Sequence, residues 1–303
     1  MKLAVILLNY NTSKDTVVCL KSLATAKIPG GMAVTVYVVD NGSSQPLPDV
    51  SQLFPHIVRL DSKINLGFSG GNNLGLTAAL KDGATHILLL NNDTYVDQSF
   101  FTSIYQSVII QPQIGIVSGK IYFAPGFEFH AKRYSKKDLG KVIWYAGGSY
   151  DWANALGSHA HVDEVDSQKL SSAQPTDFAT GCCLLFRAEV ASQIGLLNPD
   201  YFLYLEDLEF CQRARLRGWK IYFDPSIVLW HKVSRSAGGS GSKLNDYFIT
   251  RNRLLFGLTY APLRTKLALI RESVKMLMTG TPPQRLAVLD FYSHKLGKGS
   301  FLK

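Results

Sequence analysis

Cysteine is scarce: Cys19, Cys182, Cys183 and Cys211 are the only four in 303 residues, and no two are spaced as CxxC. That excludes a zinc framework and a secreted disulfide scaffold, and points to reduced, buried thiols in a cytoplasmic protein. Long apolar runs are missing too, since none approaches the roughly 18 residues of a spanning helix. The N-terminal run Leu3 to Leu8 is short, meets Asn9-Tyr10-Asn11, and has no small-residue cleavage site behind it, so it is not expected to be a signal peptide. Charged residues make up only 18% of the chain, with a net charge of +9. Such a surplus suits acidic membrane surfaces or phosphate-bearing substrates, and with no DNA- or RNA-binding motif present a nucleic-acid partner is not expected. No glycine occurs in the turn after the first apolar run, which argues against a dinucleotide-binding Rossmann domain.

What is present is a repeated pattern: a buried apolar run that ends in Asn or Asp. Residues 3–8 lead into Asn9 and Asn11, Val34–Val39 into Asp40, Ile57–Leu60 into Asp61, and His86–Leu90 into Asn91-Asn92-Asp93. Continuous apolar runs are the signature of strands buried on both faces. Helical spacing falls between them, as in Val17, Leu20, Leu23 and Ala24 after a candidate N-cap at Ser13. Alternating strands and helices predict an α/β fold with a mostly parallel sheet, and such sheets bind ligands at the carboxyl ends of their strands. Asp93 is a hard carboxylate at such an end, suited to Mg²⁺ or Mn²⁺ carrying a substrate's phosphates. The plain alternative is an ordinary Asn/Asp turn. Gly67, Gly70 and Gly71 open the next helix, where backbone can approach a ligand and offer free N–H groups.

The second half is less regular. Ile114–Phe123 reads as a strand, residues 124–175 as a variable segment on the acceptor side, and Asp177–Arg187 as a strand around Thr180-Gly181-Cys182-Cys183. Glu206, Asp207 and Glu209 open a helix that ends in arginines, which complements the helix dipole. A carboxylate buried there beside a cleft would equally acquire the raised pKa of a general base. Ile221–Phe223 and Ile227–Trp230 read as two strands, the second ending in His231, and Ser234–Ser242 as a mobile loop. From Lys243 the chain reads as helical. Leu263, Leu267, Ile270, Val274 and Leu277 form a stripe expected to lie opposite Arg264, Lys266, Arg271 and Lys275. That stripe would either lie on an anionic membrane or dock on the rest of the protein.

Taken in order, Val5 to Asn11, Val39-Asp40-Asn41-Gly42-Ser43, Asn65 to Asn73, Leu90-Asn91-Asn92-Asp93, Glu206-Asp207 and Trp230-His231-Lys232 resemble the inverting glycosyltransferases of family 2, over roughly residues 1–255. The resemblance implies a GT-A fold, Rossmann-like with flanking helices, and is nearest to the rhamnosyltransferases of cell-surface polysaccharide synthesis. It implies a glycosyltransferase domain over 1–242, with a nucleotide-sugar-binding half (1–123) and an acceptor half (124–242), and a helical extension over 243–303. It further implies a nucleotide-diphospho-sugar donor, with dTDP-rhamnose the one suggested by the subgroup, and a glycan or lipid-linked acceptor at the inner face of the cell membrane, with homo-oligomers open.

By the same resemblance Asp93 would hold the metal with His231, with Asn91 and Asn92 near the ribose. Asp40 and the Asn9-Tyr10-Asn11 loop would meet the nucleobase, and Asn65, Gly67 and Gly71 the nucleotide or its sugar. Gly181 would lie beneath the transferred sugar, Asp207 would be the base, and Glu206 would orient it. The chain keeps one acid where the family usually has an Asp-x-Asp site, so metal-independent turnover stays open. The rival classes are a nucleotidyltransferase, whose basic glycine-rich signature is missing after the first strand, and a catalytically silent nucleotide-sugar-binding protein.

Overall fold

The computed structural model describes residues 1–110, 113–233 and 241–302. Most of the Gly/Ser-rich stretch expected as a mobile loop, 234–240, lies outside the described residues. The first half alternates as expected: β1 (Lys2–Asn9), α1 (Ser13–Thr25), β2 (Ala33–Asn41), β3 (Ile57–Ser62), α2 (Gly67–Lys81), β4 (His86–Asn91), β5 (Thr94–Val96), α3 (Phe100–Ile110) and β6 (Ile114–Phe123). Then come the short strands β7 (Ile143–Tyr145), β8 (Gly148–Asp151), β9 (Leu156–His159) and β10 (Gln174–Pro175). The chain continues with β11 (Cys183–Arg187), α4 (Ala188–Ile194), α5 (Glu206–Leu216) and β12 (Lys220–His231). Three helices follow: α6 (Lys243–Tyr260), α7 (Leu263–Thr279) and α8 (Pro282–Tyr292).

The main sheet runs β10-β12-β6-β11-β4-β1-β2-β3. The block β3-β2-β1-β4 is parallel, as is β6 with β12, whereas β11 and β10 are antiparallel to their neighbours. The sheet is therefore mostly parallel, and helices cover it. Burial explains the parallel block, because Leu3 to Leu7, Val36 to Val39 and Ile87 to Leu90 are all buried. Strands apolar on both faces are stable only between two covering layers. Glycines allow one such layer to approach closely. A Cβ at Gly71 would lie 2.5 Å from Leu8 Cδ1, and one at Gly75 2.7 Å from Ile6 Cγ2, so α2 packs directly on β1.

Several sequence expectations change. The strand expected from Asp177 begins only at Cys183, because Thr180 and Gly181 turn beneath Asp207. The two strands expected over 221–230 are one, β12, with a register shift between Asp224 and Val228. The N-cap of α1 is Thr12, and the stripe it buries is Thr16, Cys19, Leu20 and Leu23; Ala24 is exposed. The segment expected to be irregular contains β7 on the edge of β6 and the hairpin β8–β9. All four cysteines are free and buried.

Candidate active site

Register sets where the strands end. Asn9 pairs with Asp40, Asp40 with Asp61, Leu8 with Asn91, and His231 with Thr94. Four polar termini therefore meet at one edge of the sheet, where a cavity of about 1230 Å³ opens. Of the residues expected at the site, Tyr10, Asn65, Gly67, Asn91, Asn92, Asp93 and His231 line it.

At its floor the carboxylate of Asp93 lies 3.1 Å from Nε2 of His231, and both side chains are buried. The backbone keeps this pair in register, since the Lys232 amide donates to the Asp93 carbonyl at 3.0 Å. The His231 ring stands edge-on to Trp144 at 4.7 Å, and its buried Nδ1 has no hydrogen-bond partner. Asp93 and His231 suit a divalent ion that takes its remaining ligands from phosphate and water, because hard ions of this kind are commonly held by one or two protein groups. Among the described residues no cluster of three or more His, Cys, Asp or Glu side chains could hold a metal by itself. A metal here would thus depend on the substrate's own oxygens.

Behind the floor runs a hydrogen-bond chain. Asn92 Nδ2 donates to Thr12 Oγ1 (2.7 Å) and Thr16 Oγ1 (2.8 Å), and Thr16 Oγ1 donates to Asn9 Oδ1 (2.9 Å). Asn9 in turn donates to Asp40 (3.3 Å) and Ser43 (3.1 Å). Thr12 therefore spends its hydroxyl on Asn92 and makes no side-chain cap for α1. The Asp40 carboxylate also accepts from the Ser43 amide and hydroxyl and from the Leu47 amide. Asn9 and Asp40 are buried behind the cavity wall, and Asn11 holds Ser44 through its Oδ1. These groups brace the edge from behind.

Sequence reasoning expected free amides at the start of α2, and this is corrected. Gly67 N donates to Asn65 Oδ1 (2.8 Å), and both Phe68 N (2.6 Å) and Ser69 N (3.3 Å) donate to the Phe202 carbonyl. The donors are consumed because the 200–205 loop descends onto the helix end. Gly67 has φ +74°, and a Cβ there would strike the Phe202 carbonyl at 2.4 Å. Gly71 packs against Leu8 and Asn41, which line the cavity, and does not line it itself. Asn41 went unassigned from sequence, although it lines the cavity and fixes this turn through Asn65 Oδ1 (3.1 Å), the Gly67 carbonyl (3.0 Å) and the Leu66 amide (3.0 Å). Its signal was its place directly after Asp40 at a strand end. Trp144, Phe202, Tyr204 and Asn245, also on the wall, carried no such signal because distant segments bring them there.

The carboxylate pair opens α5. Asp207 accepts from the Gly181 and Leu208 amides, both at 2.8 Å. Burial raises its pKa above the usual carboxylate range, while those amides pull it down. Glu206 is buried more deeply; burial first, and then the charge of Asp207, raise its pKa well above the ordinary value, and its Oε2 lacks a partner. Neither side chain lines the cavity floor. Contact with it passes through Gly181, where a Cβ would lie 3.1 Å from Phe68 on the cavity wall and 3.6 Å from Asp207 Cβ. The next residue's carbonyl, Cys182, accepts from the Asn91 amide at 3.0 Å.

Three non-glycine residues just before the pair, Phe202, Tyr204 and Leu205, have left-handed φ of 60°, 71° and 66°. Helix α6 holds them there. Asn252 Nδ2 donates to the carbonyls of Tyr201, Leu203 and Tyr204, each at 2.8 Å, and Arg251 Nη2 to those of Asp200 (2.9 Å) and Tyr201 (3.1 Å).

A family model described as "Glycosyltransferase like family 2" matches residues 2–257. The low-salt glycan biosynthesis hexosyltransferase Agl10 of Haloferax volcanii is 30% identical over 256 residues, covering 84% of this chain and 74% of that protein. An N-acetylglucosaminyl-diphospho-decaprenol L-rhamnosyltransferase of Mycobacterium tuberculosis is 23% identical over 226 residues, 71% of this chain and 72% of that one. Among solved structures, GalNAc-T7 with UDP, GalNAc and Mn²⁺ superposes with a TM-score of 0.63 at 15% identity, over 97% of this chain and 58% of that one. The last likeness is one of fold, the GT-A fold.

Proposed function

Since this chain belongs to glycosyltransferase family 2, we propose that it moves a sugar, with inversion, from a nucleotide-diphospho-sugar to a hydroxyl of a glycan or lipid-linked acceptor. The observation that carries this reading is the placement of two different acidic sites around one sheet edge. Asp93 and His231 lie at the cavity floor, and Asp207 stands behind Gly181 next to the Asn91 strand end.

In this reading the wall residues Tyr10, Asn41, Asn65, Asn91 and Asn92 hold the nucleotide, and Asn9, Asn11 and Asp40 keep that wall in place. Asp93 and His231 would hold Mg²⁺ or Mn²⁺, which would supply positive charge to offset that of the diphosphate. Asp207 takes the proton from the acceptor hydroxyl as that oxygen bonds to the anomeric carbon and the bond to the diphosphate breaks. Its raised pKa makes it a stronger base than an exposed aspartate, and the Gly181 and Leu208 amides hold it in a fixed orientation. Glu206, its buried neighbour, positions it. The names of the relatives, a hexosyltransferase and a rhamnosyltransferase, support a hexose or deoxyhexose as the transferred group, with dTDP-rhamnose first to be tried. In this reading residues 1–242 form the glycosyltransferase domain and 243–303 an extension. The extension completes the site, because Leu244, Asn245 and Leu302 line the cavity.

A thermal-shift screen of dTDP-, UDP- and GDP-sugars with and without Mn²⁺ tests the reading, since a ligand of the native state raises Tm with occupancy. One donor class should stabilise the protein in a Mn²⁺-enhanced manner that Asp93→Ala removes. No shift with any nucleotide sugar would overturn it.

A further inference from the structure

We infer that the outward face of α7 docks on an anionic lipid bilayer. The helix turns about 100° per residue, which sorts its side chains into three faces. Thr265, Leu269, Ser273 and Met276 face the protein: Thr265 Oγ1 donates to the Trp152 carbonyl at 2.8 Å, and Ser273 Oγ meets the Tyr292 hydroxyl at 2.8 Å. The apolar stripe read from the sequence occupies a different arc and stays in solvent. Leu263 is 73% exposed, Leu267 60%, Ile270 44%, Val274 52% and Leu277 37%, and Met278, 69% exposed, adjoins them. So many large apolar side chains on one helix face far exceed the single exposed leucines of an ordinary surface.

The basic residues fix the occupant. They do not lie opposite the stripe, as the sequence alone suggested; Arg264, Arg271 and Lys275 run along one flank of it and Lys266 along the other. The only acid of α7, Glu272, lies away from the stripe with its side chain 40% exposed, and is paired with Arg253, whose Nη1 and Nη2 lie 2.8 Å from its carboxylate oxygens. An apolar arc edged by cations matches the boundary between acyl chains and anionic headgroups. Arg285, Leu289 and Tyr292 along the exposed face of α8 repeat the combination. Among the described residues no helix is long and apolar enough to cross a membrane, so this is surface docking.

The test is co-sedimentation of the full chain with vesicles of equal phosphatidylglycerol and phosphatidylcholine, against pure phosphatidylcholine. Binding should require phosphatidylglycerol and weaken with salt. Ile270→Glu should weaken it at least about tenfold, and each of Arg271→Gln and Lys275→Gln about fivefold. All three positions are exposed, so Tm should stay unchanged, which shows the variants folded. Absence of binding, or binding indifferent to Ile270→Glu, would overturn the inference. So would a dimer in analytical ultracentrifugation that Ile270→Glu dissolves without any vesicle binding, because the stripe would then face a second copy. The assay uses no donor, so its failure leaves the transferase reading untouched, and the reverse.

Discussion

Replacing Asn252 by alanine should loosen the loop that ends in the carboxylate pair, and the size of the effect follows from three hydrogen bonds. Its Nδ2 serves the carbonyls of Tyr201, Leu203 and Tyr204, and only that of Tyr201 has a second donor, from Arg251. Leaving the two part-buried carbonyls of Leu203 and Tyr204 unsatisfied costs about 1–3 kcal/mol each. Against this, Tyr204 and Leu205 can relax from left-handed backbone, which returns about 1–2 kcal/mol each. The net loss should be about 1 kcal/mol, or a fall in Tm of roughly 2–4 °C for a chain of this size. Differential scanning fluorimetry reads it directly. The same loop caps α2 through the Phe202 carbonyl and starts α5, so turnover should fall further than the stability loss requires. A Tm within about a degree of the parent would refute the reasoning, because the left-handed backbone would then be held by something other than Asn252.

Asp207→Asn should cut turnover by about 10²–10⁴ while leaving donor-induced thermal stabilisation intact; near-normal product release would show that another group takes the proton. Gly71→Ala should destabilise by about 1–3 kcal/mol despite the better helix propensity of alanine, because its Cβ would meet Leu8 at 2.5 Å, and urea unfolding measures this. Glu206 has a folded pKa above its unfolded one, so its favourable contribution is complete below the ordinary carboxylate pKa and is lost as pH rises through the raised value. Glu206→Gln should therefore gain stability over the parent as pH increases, and parallel Tm–pH curves for the two proteins would contradict the burial argument.

Much of this molecule was legible because the relevant physics is local. Strands buried on both faces are written as runs such as Leu3 to Leu7 and Ile87 to Leu90, and their polar ends as Asn9, Asp40 and Asn91 to Asp93. Parallel pairing then brings those ends to one edge, so the cavity floor followed from sequence. So did the helix start at Glu206, since acids at an N-terminus leave a local signature.

What sequence left open was decided by partners far away in the chain. The amides of α2 look free until the Phe202 carbonyl arrives from 134 residues beyond Phe68. Asp40 is expected at a ligand from its strand end, and only the fold shows that Asn9, Ser43 and Leu47 also meet its carboxylate. The stripe of α7 could equally have docked or stayed exposed, because periodicity reports that a helix has an apolar face but not what covers it. Sequence by itself determined the α/β alternation, the polar edge and the family. Only the tertiary structure decided which polar groups brace that edge, which line it, and which helix face is left to meet another surface. Long-range contacts consume donors and cover faces, and no local pattern records them.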